Sequence, residues 1–130
     1  MKINHLGIAV KNIAASTQKY ESGLGWKKST GIIHDPIQKV KILFMEDDHG
    51  NRYELLEPVS DDSPINRILE KRTSLYHFCY EVQDIELKIK ELTKKGFILI
   101  SGPVEAVAFD GNLIAFLINW DNLIIELLEQ

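Results

Sequence analysis

Four side chains with metal-binding chemistry share one spacing in this sequence. His5 and His77 lie 72 residues apart, and so do Glu54 and Glu126. The glutamates open two copies of the tetrapeptide Glu-Leu-Leu-Glu, at 54–57 and 126–129, and the histidines begin the short β-like runs His-Leu-Gly-Ile-Ala-Val and His-Phe-Cys-Tyr-Glu-Val. Val10 and Val82 keep the same offset. Core packing asks only for apolar periodicity, so a His pair and a Glu pair at one offset call for another explanation. A duplicated unit arranged about a pseudo-twofold axis would bring equivalent positions together. Two imidazoles and two carboxylates then suit a divalent transition metal, with positions left for water or substrate. Without an ion, two carboxylates in close contact cannot both stay charged.

Each residue alone has a plainer reading. A lone His at a strand edge is more often a core or surface residue than a ligand, and an isolated strand Glu is usually solvated. Glu57 and Glu129 share the offset, but alternation turns them to the other sheet face from Glu54 and Glu126, and they read as solvated or rim residues. Cys79 shares the face of His77 and reads as a small core residue or a neighbour of the ligands; nothing beside it in sequence would lower its pKa. His34 and His49 sit in polar, turn-like stretches, have no partner at the offset and read as surface loop.

The elements that must carry these residues can be traced. In the first half, Asn12 or Ala15-Ser16 opens a helix to about Leu24, with Ile13, Tyr20 and Leu24 on one face. In the second, Asp84 is the expected N-cap of a helix over 85–95, with Ile85, Ile89 and Leu92 buried and Glu86–Lys90 and Glu91–Lys95 as exposed pairs. Each helix ends at a glycine beside an aromatic, Gly25-Trp26 and Gly96-Phe97. Strands are expected over 27–33, 39–45 and 52–57, and over 97–101, 112–118 and 123–128. The order is β-α-β-β-β, twice. The expected organisation is one domain, 1–130, of two modules (about 1–58 and 73–130) joined by a 59–72 linker in which Ile65, Ile68 and Leu69 seat a short helix.

Bulk properties narrow the classes. A chain of 130 residues with 45% hydrophobic residues is long enough for one core. Its net charge of −4 gives no basic footprint for nucleic acid, so no nucleic-acid partner is expected. No apolar run approaches the ~20 residues needed to cross a bilayer, and the first residues do not read as a signal peptide; no membrane partner and a cytoplasmic location are expected. One cysteine rules out an intrachain disulfide and a cysteine-rich zinc site.

The runs His-Leu-Gly-Ile-Ala-Val, Glu-Leu-Leu-Glu-Pro-Val, Ser-Pro-Ile-Asn-Arg-Ile-Leu-Glu-Lys-Arg, Tyr-His-Phe-Cys-Tyr-Glu-Val-Gln-Asp-Ile and Ile-Ile-Glu-Leu resemble the vicinal oxygen chelate superfamily. That group includes glyoxalase I, methylmalonyl-CoA epimerase, extradiol dioxygenases and the fosfomycin and bleomycin resistance proteins. The resemblance implies an α+β fold in which paired β-α-β-β-β modules form a cupped mixed sheet around a metal held by His5, Glu54, His77 and Glu126. It also implies nickel or cobalt, with zinc possible, and a homodimer. The stretch 54–85 looks most like the epimerase. The segment 119–126 instead has the length of the glyoxalase Asp-Pro-Asp-Gly loop, and Lys41 stands where some epimerases have an acid.

The expected activity on this basis is a metal-dependent isomerase of the glyoxalase I (lactoylglutathione lyase) type, detoxifying methylglyoxal. The methylglyoxal–thiol hemithioacetal would pass through an enediolate to the S-lactoyl thioester, with Glu126 as principal base, Glu54 as its partner and the histidines as passive ligands. The alternatives are methylmalonyl-CoA epimerase, with an acyl-CoA substrate, and a non-catalytic binding or resistance protein. A ring-cleaving dioxygenase wants two His and one carboxylate, and the fourth ligand, Glu54, argues against it. Arg67, Lys71 or Arg72 are candidates to meet a substrate carboxylate or phosphate, against the plainer reading of a solvated helix face.

Overall fold

The computed structural model of the protein describes all 130 residues. It has a mixed α+β fold of nine strands and three α-helices, with parallel and antiparallel strand pairs. Two compact units make up the chain: His5–Tyr76, and His77–Gln130 together with Met1–Asn4.

The first unit holds β1 (Lys2–Ala9, whose first three residues belong to the other unit), α1 (Ile13–Leu24), β2 (Lys27–Lys28), β3 (Ile33–Asp35), β4 (Val40–Glu46), β5 (Arg52–Pro58) and α2 (Ile65–Glu70). Its strands run in the order β2-β4-β5-β1, with β3 also on β4. β1 and β5 are parallel, Gly7 opposite Glu54. The second unit holds most of β6 (Leu75–Val82), then α3 (Ile85–Lys94), β7 (Ile98–Glu105), a single 3-10 turn at Val107–Phe109, β8 (Leu113–Ile118) and β9 (Ile124–Glu129), in the order β6-β9-β8-β7. β6 and β9 are parallel, Cys79 opposite Glu126. Both registers are the same pairing displaced by 72 residues.

The repeat extends into the packing. One core cluster contains Val10, Ile13, Leu43, Met45 and Leu55; the other contains their counterparts at the same offset, Val82, Ile85, Ala115, Leu117 and Leu127. Both helices start with the same chemistry. The Asn12 side chain accepts from the Ala15 N–H at 2.8 Å, and the Asp84 side chain from the Leu87 N–H at 2.9 Å, each satisfying one first-turn donor. α1 ends at Gly25, whose left-handed backbone (φ 71°) suits a residue without Cβ.

Four expectations need correction. Glu57 and Glu129 are not solvated rim residues. The Glu57 carboxylate accepts the Ile13 N–H at 2.8 Å and that of Glu129 accepts the Ile85 N–H at 2.9 Å, placing a negative charge at the N-terminus of each helix. The single strand expected over 27–33 is two strands, because the Thr30 hydroxyl accepts from the Phe44 N–H at 3.0 Å and replaces the carbonyl that a continuous ladder would supply. On α1, Thr17 joins Ile13 in the buried face, while Leu24 is exposed. On α3 the ion pair that forms is Lys88–Glu91 at 2.5 Å, which draws Glu91 away from Lys95.

Thr17 occupies the position that Ile89 fills in the second unit. Its hydroxyl is buried without a hydrogen-bond partner. An unsatisfied buried hydroxyl costs about 1–3 kcal/mol, so Thr17→Val should stabilise the protein by about 1 kcal/mol, read as a higher denaturation midpoint at unchanged m-value. The helix-capping carboxylates should act the other way: Glu129→Gln keeps the shape, removes the charge and should destabilise by ~1 kcal/mol in the same measurement.

Candidate metal centre

Each unit buries one His–Glu pair. In His5–Tyr76, His5 on β1 is 1% exposed and Glu54 on the neighbouring parallel strand β5 is 3% exposed, and Nε2 of the imidazole lies 3.5 Å from Oε1 of the carboxylate. In the second unit His77 on β6 and Glu126 on β9 are 1% and 2% exposed, with Nε2 and Oε2 2.9 Å apart. Parallel pairing puts donor and acceptor on one sheet face: Glu54 stands opposite Gly7, two residues beyond His5, and Glu126 opposite Cys79, two beyond His77.

These pairs fit a metal. Each of the four residues offers one ligand atom. Two ligands about 2.1 Å from one ion at right angles are themselves about 3 Å apart, close to the separations in both pairs.

Each imidazole is fixed by an aromatic that the sequence reading did not single out. The ring of Phe44 on β4 meets His5 edge-on, centroids 5.5 Å apart and planes at 82°; Phe116 on β8 meets His77 at 5.4 Å and 80°. Phe44 stands opposite Glu54 and Phe116 opposite Glu126 across antiparallel ladders. These phenylalanines also lie 72 residues apart, so the offset that flagged the ligands could have flagged their supports. In the first unit the Arg52 guanidinium lies 4.7 Å from the Phe44 ring centroid.

The turns that lead into the two glutamate strands are built alike. The Asp47 side chain accepts the His49 and Asn51 N–H groups, and at the equivalent place the Asn119 side chain accepts those of Asp121 and Leu123. Asp47 also accepts from the Asn51 side chain and from the Tyr53 hydroxyl, whose ring stacks on Trp26 at 3.8 Å. The Asn51 side-chain hydrogen bond, followed by those from Tyr53 and the backbone, lowers the Asp47 carboxyl from 3.8 to about 2.

The remaining candidates separate. Cys79 is fully buried. His49 is exposed in the β4–β5 turn; His34 is exposed too, but sits on β3 opposite Lys41 and not in a loop. Lys41 lies 3.7 Å from Glu57, and its odd place on β4 puts it on the sheet face of Leu43 and Met45, opposite that of Phe44. Arg67 borders a surface cleft with Asp61, Asp62 and Glu70, whereas Arg72 borders a different cleft beside α1.

A βαβββ repeat that buries a His–Glu pair in each copy defines a class of internally duplicated α+β proteins with a ligand set able to hold a metal ion. The model of the glyoxalase/bleomycin resistance protein/dioxygenase superfamily matches residues 4–116, and the chain belongs to that superfamily. An ethylmalonyl-CoA/methylmalonyl-CoA epimerase of Cereibacter sphaeroides is 30% identical over 119 residues, covering 89% of this chain and 87% of the relative. The mitochondrial methylmalonyl-CoA epimerase of Mus musculus is 32% identical over 97 residues, 72% of this chain but 53% of the mouse protein, so the chain spans about half of that relative's length. Among solved structures, a hypothetical protein of Bacillus halodurans superposes with a TM-score of 0.85 at 34% identity, covering 99% of this chain and 94% of the other. The methylmalonyl-CoA epimerase of Mycobacterium tuberculosis superposes at 0.84 with 21% identity, over 98% and 86%, and shares the fold.

These relatives correct the expected activity. The enzymes among them are epimerases and none is a lactoylglutathione lyase, which overturns the expected glyoxalase I activity and its methylglyoxal substrate. The physical reason lies in the 119–123 turn. Its glyoxalase-like length is that of a hairpin closed by Asn119, the same device that Asp47 makes in the first unit, and it carries no information about substrate.

The lowered Asp47 carboxyl gives a signed prediction. Its folded value lies below the ordinary one, so its contribution to the hairpin is complete above pH 3.8 and is lost as pH falls through about 2. A side-chain NMR titration of Asp47 should show a midpoint near 2, and Asn51→Ala, which removes the largest cause, should move it back toward 3.8.

Proposed function

We propose that this chain is a metal-dependent epimerase of short 2-alkylmalonyl-CoA thioesters such as methylmalonyl-CoA, using one divalent ion held by His5, Glu54, His77 and Glu126. The observation that carries the reading is the pair of buried His–Glu couples in equivalent parallel registers, in a chain 30% identical to an epimerase across 89% of its length. Nickel, cobalt and zinc all accept this nitrogen and oxygen donor set.

The chemistry asked of the residues is modest. The α-hydrogen of a 2-alkylmalonyl thioester sits between two carbonyl-type groups and is acidic for a C–H bond. Bound metal supplies Lewis-acid polarisation of a substrate oxygen. Glu126 takes the α-proton as general base. Inversion requires the proton to return to the opposite face of the α-carbon, so a second acid–base group is needed, and Glu54, the repeat counterpart of Glu126, fills that role. His5 and His77 act as neutral nitrogen donors whose ring orientation is set by Phe44 and Phe116.

Three measurements test this. Incubated with methylmalonyl-CoA in heavy water, the protein should wash deuterium into the α-position; no exchange with any of the three metals would remove the epimerase reading. Glu126→Gln should lower that exchange by at least about 100-fold while keeping a metal-dependent rise in Tm, and full activity of this variant would mean the base is misassigned. Chelator treatment should lower Tm and metal should restore it, whereas His77→Ala should abolish the response.

A further inference from the structure

A cleft of about 630 Å³ within His5–Tyr76 lies away from the His5–Glu54 pair, at the far end of β1. It is bounded by the end of β1, the first two turns of α1 and the segment after α2, and it displays Lys11, Lys19 and Arg72 with the hydroxyl residues Ser16, Thr73 and Ser74. No carboxylate lines it, and none of the three cations is in an ion pair. Three uncompensated cations around one concavity are notable in a chain of net charge −4.

Two further observations separate this from an ordinary solvated surface. The repeat shows that the scaffold does not need these charges, because the counterparts of Lys11 and Lys19 are Gln83 and Glu91. Arg72 also sits in the left-handed region, φ 55°, just past the end of α2, where glycine is the relaxed choice and any other side chain costs about 1 kcal/mol. A cation is kept where the backbone favours no side chain at all. The backbone here does not oppose an anion: the carbonyls of Arg67, Ile68 and Leu69 accept from Lys71, Thr73 and Arg72, and that of Ser74 accepts from Ala9. The α1 N-terminus already holds the Glu57 carboxylate, so the attraction rests on the three cations.

We propose that this cleft binds a phosphate-bearing small molecule through Lys11, Lys19 and Arg72. Its volume suits a diphosphate or nucleotide end better than a lone carboxylate. Two sources share that chemistry: a free phosphorylated metabolite, and the nucleotide end of the acyl-CoA substrate, the latter resting on the epimerase reading above. Ala9, at the cleft, is four residues from His5 along β1, about 13 Å, a distance that an extended coenzyme arm can span.

The test is an amide-shift NMR titration of the full chain with inorganic pyrophosphate and with coenzyme A. Saturable shifts at residues 11–19 and 72–74 are expected, weakened at least about tenfold in the double variant Lys19→Glu/Arg72→Glu. Arg72→Gly separates binding from folding: it should raise Tm by relaxing the backbone and still weaken pyrophosphate binding. Absence of saturable shifts with both probes, or unchanged affinity in both variants, overturns the proposal. If the cleft holds the substrate's tail, Arg72→Gly raises KM for the acyl-CoA and leaves turnover of the matching pantetheine thioester as it was. If it holds a free metabolite, pyrophosphate still binds in an Arg72-dependent way and both substrates behave as with the unaltered protein. The pyrophosphate arm stands even if no epimerase activity is found.

Discussion

Each unit buries a carboxylate beside an imidazole on one sheet face, and the rest of the fold is arranged around that pair. A buried ionised carboxylate without compensation costs several kcal/mol, so Glu54 and Glu126 require a partner held at a defined place. The partner's place is fixed by parallel pairing, β1 with β5 and β6 with β9. Parallel neighbours need a crossover connection, and α1 and α3 lie within the two crossovers. The helix is tied back by the strand that carries the ligand: Glu54 points to one face of β5 while Glu57, three residues on, points to the other and holds the first N–H of α1. The same holds for Glu126, Glu129 and α3. A slip of one residue in β5 or β9 would expel the ligand from the site face and the cap from the helix together, so the register is doubly specified.

The departures from the repeat mark where the two halves differ in chemistry. Strand registers, core positions, helix caps, hairpin turns and the His–Phe contacts all recur at one offset. Off that pattern stand Arg52 above Phe44, the Lys41–Glu57 pair, Thr17 in place of an isoleucine, and the cations beside α1. These belong to the first half, while the second adds the Lys88–Glu91 pair and the turn at Val107–Phe109. Duplication explains what is shared; only what is not shared can read one end of an asymmetric substrate.

This division also explains what the sequence disclosed. The ligands, the helix starts at Asn12 and Asp84 and most strands were legible because each leaves a local pattern twice over. The break of the 27–33 segment was hidden, since it depends on a Thr30 hydroxyl meeting an N–H fourteen residues away. Glu57 and Glu129 were placed on the correct face and given the wrong environment, because alternation reports which face a residue takes and not what covers that face. Phe44 and Phe116 read as ordinary apolar strand residues, although their spacing was in plain view. The glyoxalase I expectation rests on the length of the 119–123 turn and on Lys41, and the first is set by hairpin geometry while the second pairs with Glu57.

A His–Glu pair repeated once in each unit suits the proposed epimerisation. The two configurations of a 2-alkylmalonyl thioester differ only in the face of the α-carbon that bears hydrogen, so the forward and reverse reactions make the same demand of opposite groups. In the proposed epimerase Glu54 and Glu126, each set by the same register and the same helix tie, would meet that demand as a pair. The coenzyme tail has no such symmetry. If the cleft beside α1 receives that tail, its cations stand outside the duplicated set, since the counterparts of Lys11 and Lys19 are Gln83 and Glu91.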